Sequence, residues 1–217
     1  MKTKQSKVAV IGLGNIGKIV AESLVKSGRE IIVASHKFED AKVLAQTLGS
    51  KAKAADVATA IKEGDVVVMA VWFSAIGELF KQHANDFNGK IIIDPSNPIA
   101  PDGNGGFKKI IGADDSAGLI NAKILPAGAR LAKALGTLGA ASLKGAAFAK
   151  PEKAVLFYAT DDRGIDAEVE ELITDIGFAP ARVGGINQSI KIEVFGELHE
   201  FGALGKTVTL SEVKIKL

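Results

Sequence analysis

Gly12, Gly14 and Gly17 stand in the spacing G-x-G-x-x-G directly after the apolar run Val8-Ala9-Val10-Ile11. That spacing binds dinucleotide phosphates when a buried strand leads in and a helix leads out. In such a loop Gly12 permits the tight turn, Gly14 lets backbone approach a pyrophosphate, and Gly17 lets the helix lie close on the strand. The helix then presents its free N–H groups and positive end to the phosphates. Ile16, Ile19, Val20, Leu24 and Val25 keep a 3.6-residue stripe, Gly28 stands at a helix C′ position, and Ile31-Ile32-Val33-Ala34 supplies a second buried strand. Where an NAD-binding unit carries an acidic residue after its second strand, this chain has Ser35, His36 and Lys37. A hydroxyl, an imidazole and an ammonium suit a 2′-phosphate, which a carboxylate would repel, so the pattern predicts NADP(H). Lys42, in the next helix, is either a further cation for that phosphate or solvated surface.

The elements that must position this loop follow from the remaining apolar runs. Helices are predicted over Glu39–Leu48 and Asp56–Lys62, with a short strand hidden in Lys51–Ala55. Asp65–Val71 reads as a buried strand leaving at Trp72-Phe73, and Lys90–Ile93 as another, running into Asp94-Pro95-Ser96-Asn97-Pro98. Ligands of open α/β sheets sit beyond the carboxyl ends of strands, so Trp72 and Phe73 either wall a cofactor or plug the core under the next helix. Asn97, flanked by two prolines that fix φ, is either a ligand contact or part of a capped turn. Pro101–Gly106 reads as a loop or lid. Beyond Pro151 the pattern is strand (Ala154–Thr160), helix (Asp166–Ile176) and strand (Ala181–Val183). A terminal helix is then expected over Asn187–Leu204, with Ile190, Val194, Phe195, Leu198 and Phe201 on an apolar stripe. That stripe is core or a homodimer contact, with Glu197 or His199 lining an acceptor pocket as a third alternative. The fold class predicted is α/β: a doubly wound, mostly parallel sheet of the Rossmann NAD(P)-binding type with a C-terminal α/β extension. Residues 1–217 are expected to form one domain, with a nucleotide-binding core over 1–118 and the extension over 119–217.

Composition bounds the alternatives. The 217 residues are 47% hydrophobic and 24% charged, with a formal net charge of +2, ordinary for a globular chain. No apolar run approaches the ~20 residues of a membrane span. Lys2, Lys4 and Lys7 precede an apolar run as in a signal peptide, but that run is short, interrupted by glycine and accounted for by the first strand. A cytoplasmic location without membrane attachment is therefore expected. The absence of cysteine excludes disulfides, thiolate catalysis and cysteine-ligated metal centres. Scattered lysines leave no basic patch for nucleic acid, and His36, His83 and His199 lack metal-ligand spacing.

With Gly12–Gly17, Ser35–Lys37, Ala70–Phe73 and Asp94–Pro98 in place, the chain resembles the NADPH:8-hydroxy-5-deazaflavin (coenzyme F420) oxidoreductase family. The reductase domain of membrane ferric reductases is similar as well. The likeness continues through Lys133–Thr137, Phe157–Asp162 and Leu172–Gly185. It implies that Leu13, Asn15, Ile16, Ser35, His36 and Lys37 hold NADP, and that the strand exits Ala70-Val71-Trp72 and Asn97-Pro98 flank the nicotinamide. His36 and Lys37 stand where the family commonly has two arginines, Trp72 where it has proline, and Leu135-Gly136 where it has Phe-Asn. The resemblance implies hydride transfer to a small-molecule acceptor: a deazaflavin, a flavin, a quinone or a ferric chelate. Two other classes stay open, a non-catalytic NADP-sensing module and an imine or carbonyl reductase. No Tyr-x-x-x-Lys pair is present, and Tyr158 falls in an expected buried strand. Catalysis is accordingly expected to need no side-chain acid or base, only two rings held face to face.

Overall fold

A computed structural model describes residues 5–213; Lys2 and Lys4 lie outside the described residues. The elements run β1 (Val8–Ile11), α1 (Asn15–Lys26), β2 (Ile31–Ala34), α2 (Phe38–Leu48), β3 (Ala52–Ala54), α3 (Val57–Glu63), β4 (Val66–Met69), α4 (Phe73–Gln82) and β5 (Ile91–Asp94). A hairpin, β6 (Ile99–Pro101) with β7 (Phe107–Lys109), precedes α5 (Ala117–Lys123), β8 (Arg130–Ala134) and α6 (Ala140–Ala146). The chain continues through β9 (Val155–Ala159), α7 (Asp166–Asp175), β10 (Ala179–Gly184), α8 (Ser189–Ile192) and α9 (Leu210–Val213).

Every residue of β1, β2, β4 and β5 is buried, which is why these strands carry no polar alternation: helices cover both faces. The eight-stranded sheet has the order β3-β2-β1-β4-β5-β8-β9-β10. It is parallel from β3 to β8; β9 runs antiparallel to β8, and β10 parallel to β9. The expected doubly wound, mostly parallel sheet is therefore present. Alternate residues feed two cores. Val8, Val10, Val66, Val68, Ile91 and Ile93 meet α1, α2 and α7, whereas Ala9, Ile11, Val67, Met69 and Ile92 meet α3 and α4. The chain winds outward through β2 and β3 and then returns to β4 on the other side of β1. A crevice opens at that reversal, beyond the carboxyl ends of β1 and β4.

The loop expected over Pro101–Gly106 is the tip of the β6–β7 hairpin, held by Asp102 Oδ1, which accepts from the N–H groups of Asn104 and Gly106. Other expectations change. Arg130–Ala134, unread as a strand, is β8 at the heart of the sheet. The terminal helix over 187–204 does not form. A 3-10 turn (Ile186–Gln188) leads into the four-residue α8, after which the backbone extends at Glu193 (ψ 165°) and turns left-handed at Phe195 (φ 68°). The extension at Glu193 turns its side chain inward, where it accepts from the N–H groups of Ala117 (2.8 Å) and Gly118 (2.9 Å) at the start of α5. Residues 189–202 then pack as successive turns, with Gly202 so close to the Gly196 carbonyl that a side chain would not fit. The apolar stripe splits accordingly: Val194 is buried, whereas Phe195 and Phe201 are exposed.

His199 belongs to these turns rather than to a helix. Its Nδ1 accepts from the Phe201 N–H (3.0 Å), so its Nε2 carries the proton and donates to the Gly136 carbonyl (3.0 Å). Burial pushes the His199 pKa below its ordinary 6.5, since a charged imidazole would lose water and oppose the Phe201 N–H. A depressed histidine pKa means that the folded chain binds fewer protons than the unfolded one just below pH 6.5. Stability from this group is complete above that value and is lost as pH falls through the window. Thermal unfolding should show Tm falling between about pH 6.5 and 5, and a shallower fall in His199→Gln; equal slopes would remove His199 as the cause.

Candidate nucleotide site

Two of the three motif glycines are demanded by the protein itself. At Gly12 (φ 91°) a Cβ would overlap the Ala70 carbonyl and lie 2.8 Å from Val71 Cγ1; at Gly17 it would overlap the Gly12 carbonyl and press on Ala70. The exits of β1 and β4 and the first turn of α1 thus meet in van der Waals contact. Gly12 N–H also donates to the Ala34 carbonyl (2.9 Å), which ties the loop to the end of β2. Gly14 differs. Its backbone (φ −74°, ψ −166°) suits any residue, and a Cβ there would have no atom within 4 Å. Neither conformation nor packing asks for glycine at this point, and the space beside its backbone is open.

The helix ends around this opening point the same way. Among the described residues no side chain caps α1 or α4, and neither has an acidic residue in its first turn. By contrast Asp56 caps α3, Ser116 caps α5, and α2 and α7 carry acidic residues at their starts. The free N–H groups and positive ends of α1 and α4 therefore face the crevice uncompensated.

The other candidates surround this loop. Leu13 and Ile16 are half-buried, and Asn15 is exposed beside Gly14. Ser35 is buried, with Oγ accepting from the Lys37 N–H (3.3 Å), while His36 and Lys37 stand exposed at the end of β2 with no carboxylate among the three. Lys42 is engaged elsewhere: it pairs with Glu39 (2.7 Å) and lies over the Phe38 ring. Ala70 and Val71 touch Gly12. Trp72, 61% exposed, opens α4 at the crevice rim, so it is not a core plug.

Beyond β5, Asn97 bonds to protein at both ends of its amide: its Nδ2 donates to the Gly136 carbonyl (2.9 Å) and its Oδ1 accepts from the Val194 N–H (2.7 Å). Pro98 is buried beside it. This amide clasps the exit of β5 to the exit of β8 and to the C-terminal turns. Beneath it lie residues that the sequence did not single out as a site. Lys133 and Asp94 are 2% and 1% exposed and form an ion pair (3.3 Å), and Asn121 Nδ2 donates to Asp94 Oδ2 (2.8 Å). The one signal was a lysine inside the apolar run Leu131-Ala132-Lys133-Ala134-Leu135. Tyr158 lies away from this cluster; its hydroxyl donates to Glu170 Oε1 (2.7 Å), and burial raises its pKa.

A glycine cradle before an uncapped helix, at the reversal point of a doubly wound sheet, defines a dinucleotide-binding fold of the kind used by NADP oxidoreductases. Residues 7–98, from the lead-in of β1 through the turn after β5, match the model of the family described as NADP oxidoreductase, coenzyme F420-dependent. A hypothetical protein from Sinorhizobium meliloti has the same fold nearly end to end: TM-score 0.81, 26% identity, 94% of this chain and 96% of that one. A proposed F420-dependent NADP-reductase from Arthrobacter sp. FB24 aligns with TM-score 0.70 and 23% identity, over 85% of this chain and 87% of that one. An imine reductase from Pseudomonas sp. aligns with TM-score 0.60 and 17% identity, over 84% of this chain and 56% of that one. At such identities the last two likenesses speak to the fold alone. Among curated proteins, a glutamyl-tRNA reductase from Methanococcus maripaludis is 39% identical over 93 residues, which is 42% of this chain but 24% of the relative. The match thus spans about a quarter of that relative's length. Among the described residues, no helix is long and apolar enough to cross a membrane.

The glycines separate experimentally. Gly17→Ala should destabilise the fold by about 1–3 kcal/mol, because backbone must move to admit the methyl group. Gly14→Ala should leave the melting temperature nearly unchanged, and Gly14→Val should keep a near-native fold while losing nucleotide affinity. Calorimetric titration with NADPH alongside thermal melts would check both. An unaltered affinity in folded Gly14→Val would show that no phosphate lies against this loop.

Proposed function

We propose that this chain is an NADPH-dependent oxidoreductase that transfers hydride between the nicotinamide and a second redox partner, a deazaflavin, a flavin or a quinone; with a ferric chelate as the partner, one NADPH would reduce two ferric ions by one electron each and release a proton to solvent. The observation that carries the reading is the open position at Gly14, a glycine with no structural need for its missing side chain, set before a helix end that no side chain caps and no first-turn carboxylate neutralises among the described residues. The residues present fit the cofactor. Gly12, Leu13, Gly14, Asn15, Ile16 and Gly17 would hold its pyrophosphate, and Ser35, His36 and Lys37 its 2′-phosphate. Ala70, Val71, Trp72, Asn97 and Pro98 would flank its nicotinamide. When bound, NADPH supplies the hydride. The chain's own work is to bind and orient. The first turn of α1 offers N–H donors, Lys37 offers a charge-assisted bond, and Trp72 offers an exposed aromatic face at the rim.

No proton-transfer side chain is assigned. Tyr158 donates to Glu170 on the far side of β9, and His199 has both ring nitrogens committed to backbone. The proton that accompanies hydride is proposed to come from solvent or to stay on the acceptor. Rate then depends on alignment, a proximity effect worth up to roughly 7–11 kcal/mol in well-oriented models. A location in the cytoplasm and a homodimer are part of the same proposal.

NADPH should bind more tightly than NADH. Removing one charge-assisted hydrogen bond costs about 1.5–3 kcal/mol, so Lys37→Ala should cut the preference roughly ten-fold or more. Equal affinities of the unmutated protein for the two nucleotides would end the 2′-phosphate assignment. Anaerobic loss of NADPH absorbance against flavins, a deazaflavin, quinones and ferric chelates tests the reaction. Turnover with any of them supports it, whereas tight binding with no turnover across the panel would turn the reading into a nucleotide sensor. Tyr158→Phe should retain turnover at saturating substrates, and a fall beyond the ~10²-fold lower bound for loss of a general acid would favour a carbonyl or imine reductase.

A further inference from the structure

We propose that Lys133, which touches neither the crevice nor the glycine loop, is the positioning residue for the nicotinamide half of the bound nucleotide. The inference rests on the NADPH reading above. Lys133 Nζ reaches three oxygens of a single turn: the Asp94 carbonyl (3.1 Å), the Ser96 carbonyl and Asp94 Oδ1 (3.3 Å). Asp94 in turn accepts from the Ser96 N–H at Oδ1 (2.8 Å) and from Asn121 Nδ2 at Oδ2 (2.8 Å). The backbone of Asp94–Pro98 is therefore held from below by one buried ammonium and its carboxylate. From above it is held by the Asn97 clasp to Gly136 and Val194. Asn97 and Pro98 are the residues assigned beside the nicotinamide, so Lys133 acts on the ring only through this turn.

Stability does not explain a lysine here. A buried ion pair forfeits the hydration of both charges, and an apolar pair of similar volume is often as stable or more so. The neighbourhood shows further departures from a comfortable core. The hydroxyls of Ser96 and Thr137 are buried with no hydrogen-bond partner among the described residues, and Leu135 adopts a left-handed backbone (φ 67°). Such concessions gather where geometry is held for another purpose. What an ammonium does that an apolar side chain cannot is to bind several oxygens at once and so fix the path of the turn.

The test separates the two halves of the nucleotide. Adenosine 2′,5′-bisphosphate carries the adenosine and 2′-phosphate but no nicotinamide, so its affinity reports the glycine loop and Ser35–Lys37 alone. Calorimetry on Lys133→Met should show binding of this fragment within about three-fold of the unmutated protein. The extra affinity that NADPH gains over the fragment should fall ten-fold or more, and the fluorescence of bound NADPH should move toward that of the free nucleotide. Parallel weakening of fragment and NADPH, or a lowered Tm with both affinities unchanged, would show a merely structural lysine and overturn the proposal. Should Lys133→Met fail to fold, the neutral pair Lys133→Met/Asp94→Asn takes its place, with the same expected and overturning results. If the unmutated protein binds neither nucleotide nor fragment, the NADPH reading itself falls, and this inference with it.

Discussion

The close approach of three backbones, with no side chain between them, is the contact on which the rest of this structure depends. Gly17 sets the first turn of α1 against the Gly12 carbonyl, and Gly12 sits against the exit of β4 at Ala70. A methyl group at either position would push helix from strand and close or misalign the crevice. Because interiors are as dense as molecular crystals, such a displacement is not absorbed locally. The paired burial of β1 and β4 in register, from Val8 opposite Val66 to Ile11 opposite Met69, then carries this geometry across the sheet.

The second organising feature is polar and lies on the other side of the crevice. The C-terminal turns, β5, α5 and β8 meet where apolar packing gives way to a network of buried hydrogen bonds. Glu193 holds the start of α5, Asn97 binds Gly136 and Val194, and His199 binds the same Gly136 carbonyl. Burial raises the Glu193 pKa, even though the α5 N–H groups and Lys133 favour its charged form. Buried networks of this type specify one arrangement because any alternative strands a donor or acceptor. The β9–β10 pair, whose two strands run parallel to each other and antiparallel to the rest of the sheet, and the turns after it are tied to β5, α5 and β8 through these bonds.

Much of the first half of the fold was legible because local rules and the final structure agree there. Unbroken apolar runs read as doubly covered strands, and Gly28 (φ 93°) ends α1 as its position implied. The glycine loop was legible for the same reason. The later half obeys long-range demands that a local pattern does not carry. Ile190, Val194, Leu198 and Phe201 imitate a helical stripe, yet Glu193 leaves the helix to satisfy amides some 75 residues away in sequence. β8 went unread because Lys133 interrupts its apolar run, and only the three-dimensional structure shows the acceptors that make burial of that lysine tolerable. Asn97 was recognised as polar and fixed, but its partners, Gly136 and Val194, come from elements whose positions the sequence left open.

The two margins of the sheet bear on how this chain behaves in a crowded solution. An unpaired strand margin is a template on which another chain can add hydrogen bonds. Here one margin is β3, three residues long and bearing the exposed Lys53, whose ammonium binds Glu63 (2.8 Å). The other is β10, which contains Pro180, lacking an N–H to offer, and an irregularity between Arg182 and Gly184 that breaks the ladder. Neither margin presents a long, flat row of free backbone groups. The sheet is thereby guarded against templated growth into fibrils, even though its interior strands, rich in valine and isoleucine, are of the composition that builds them.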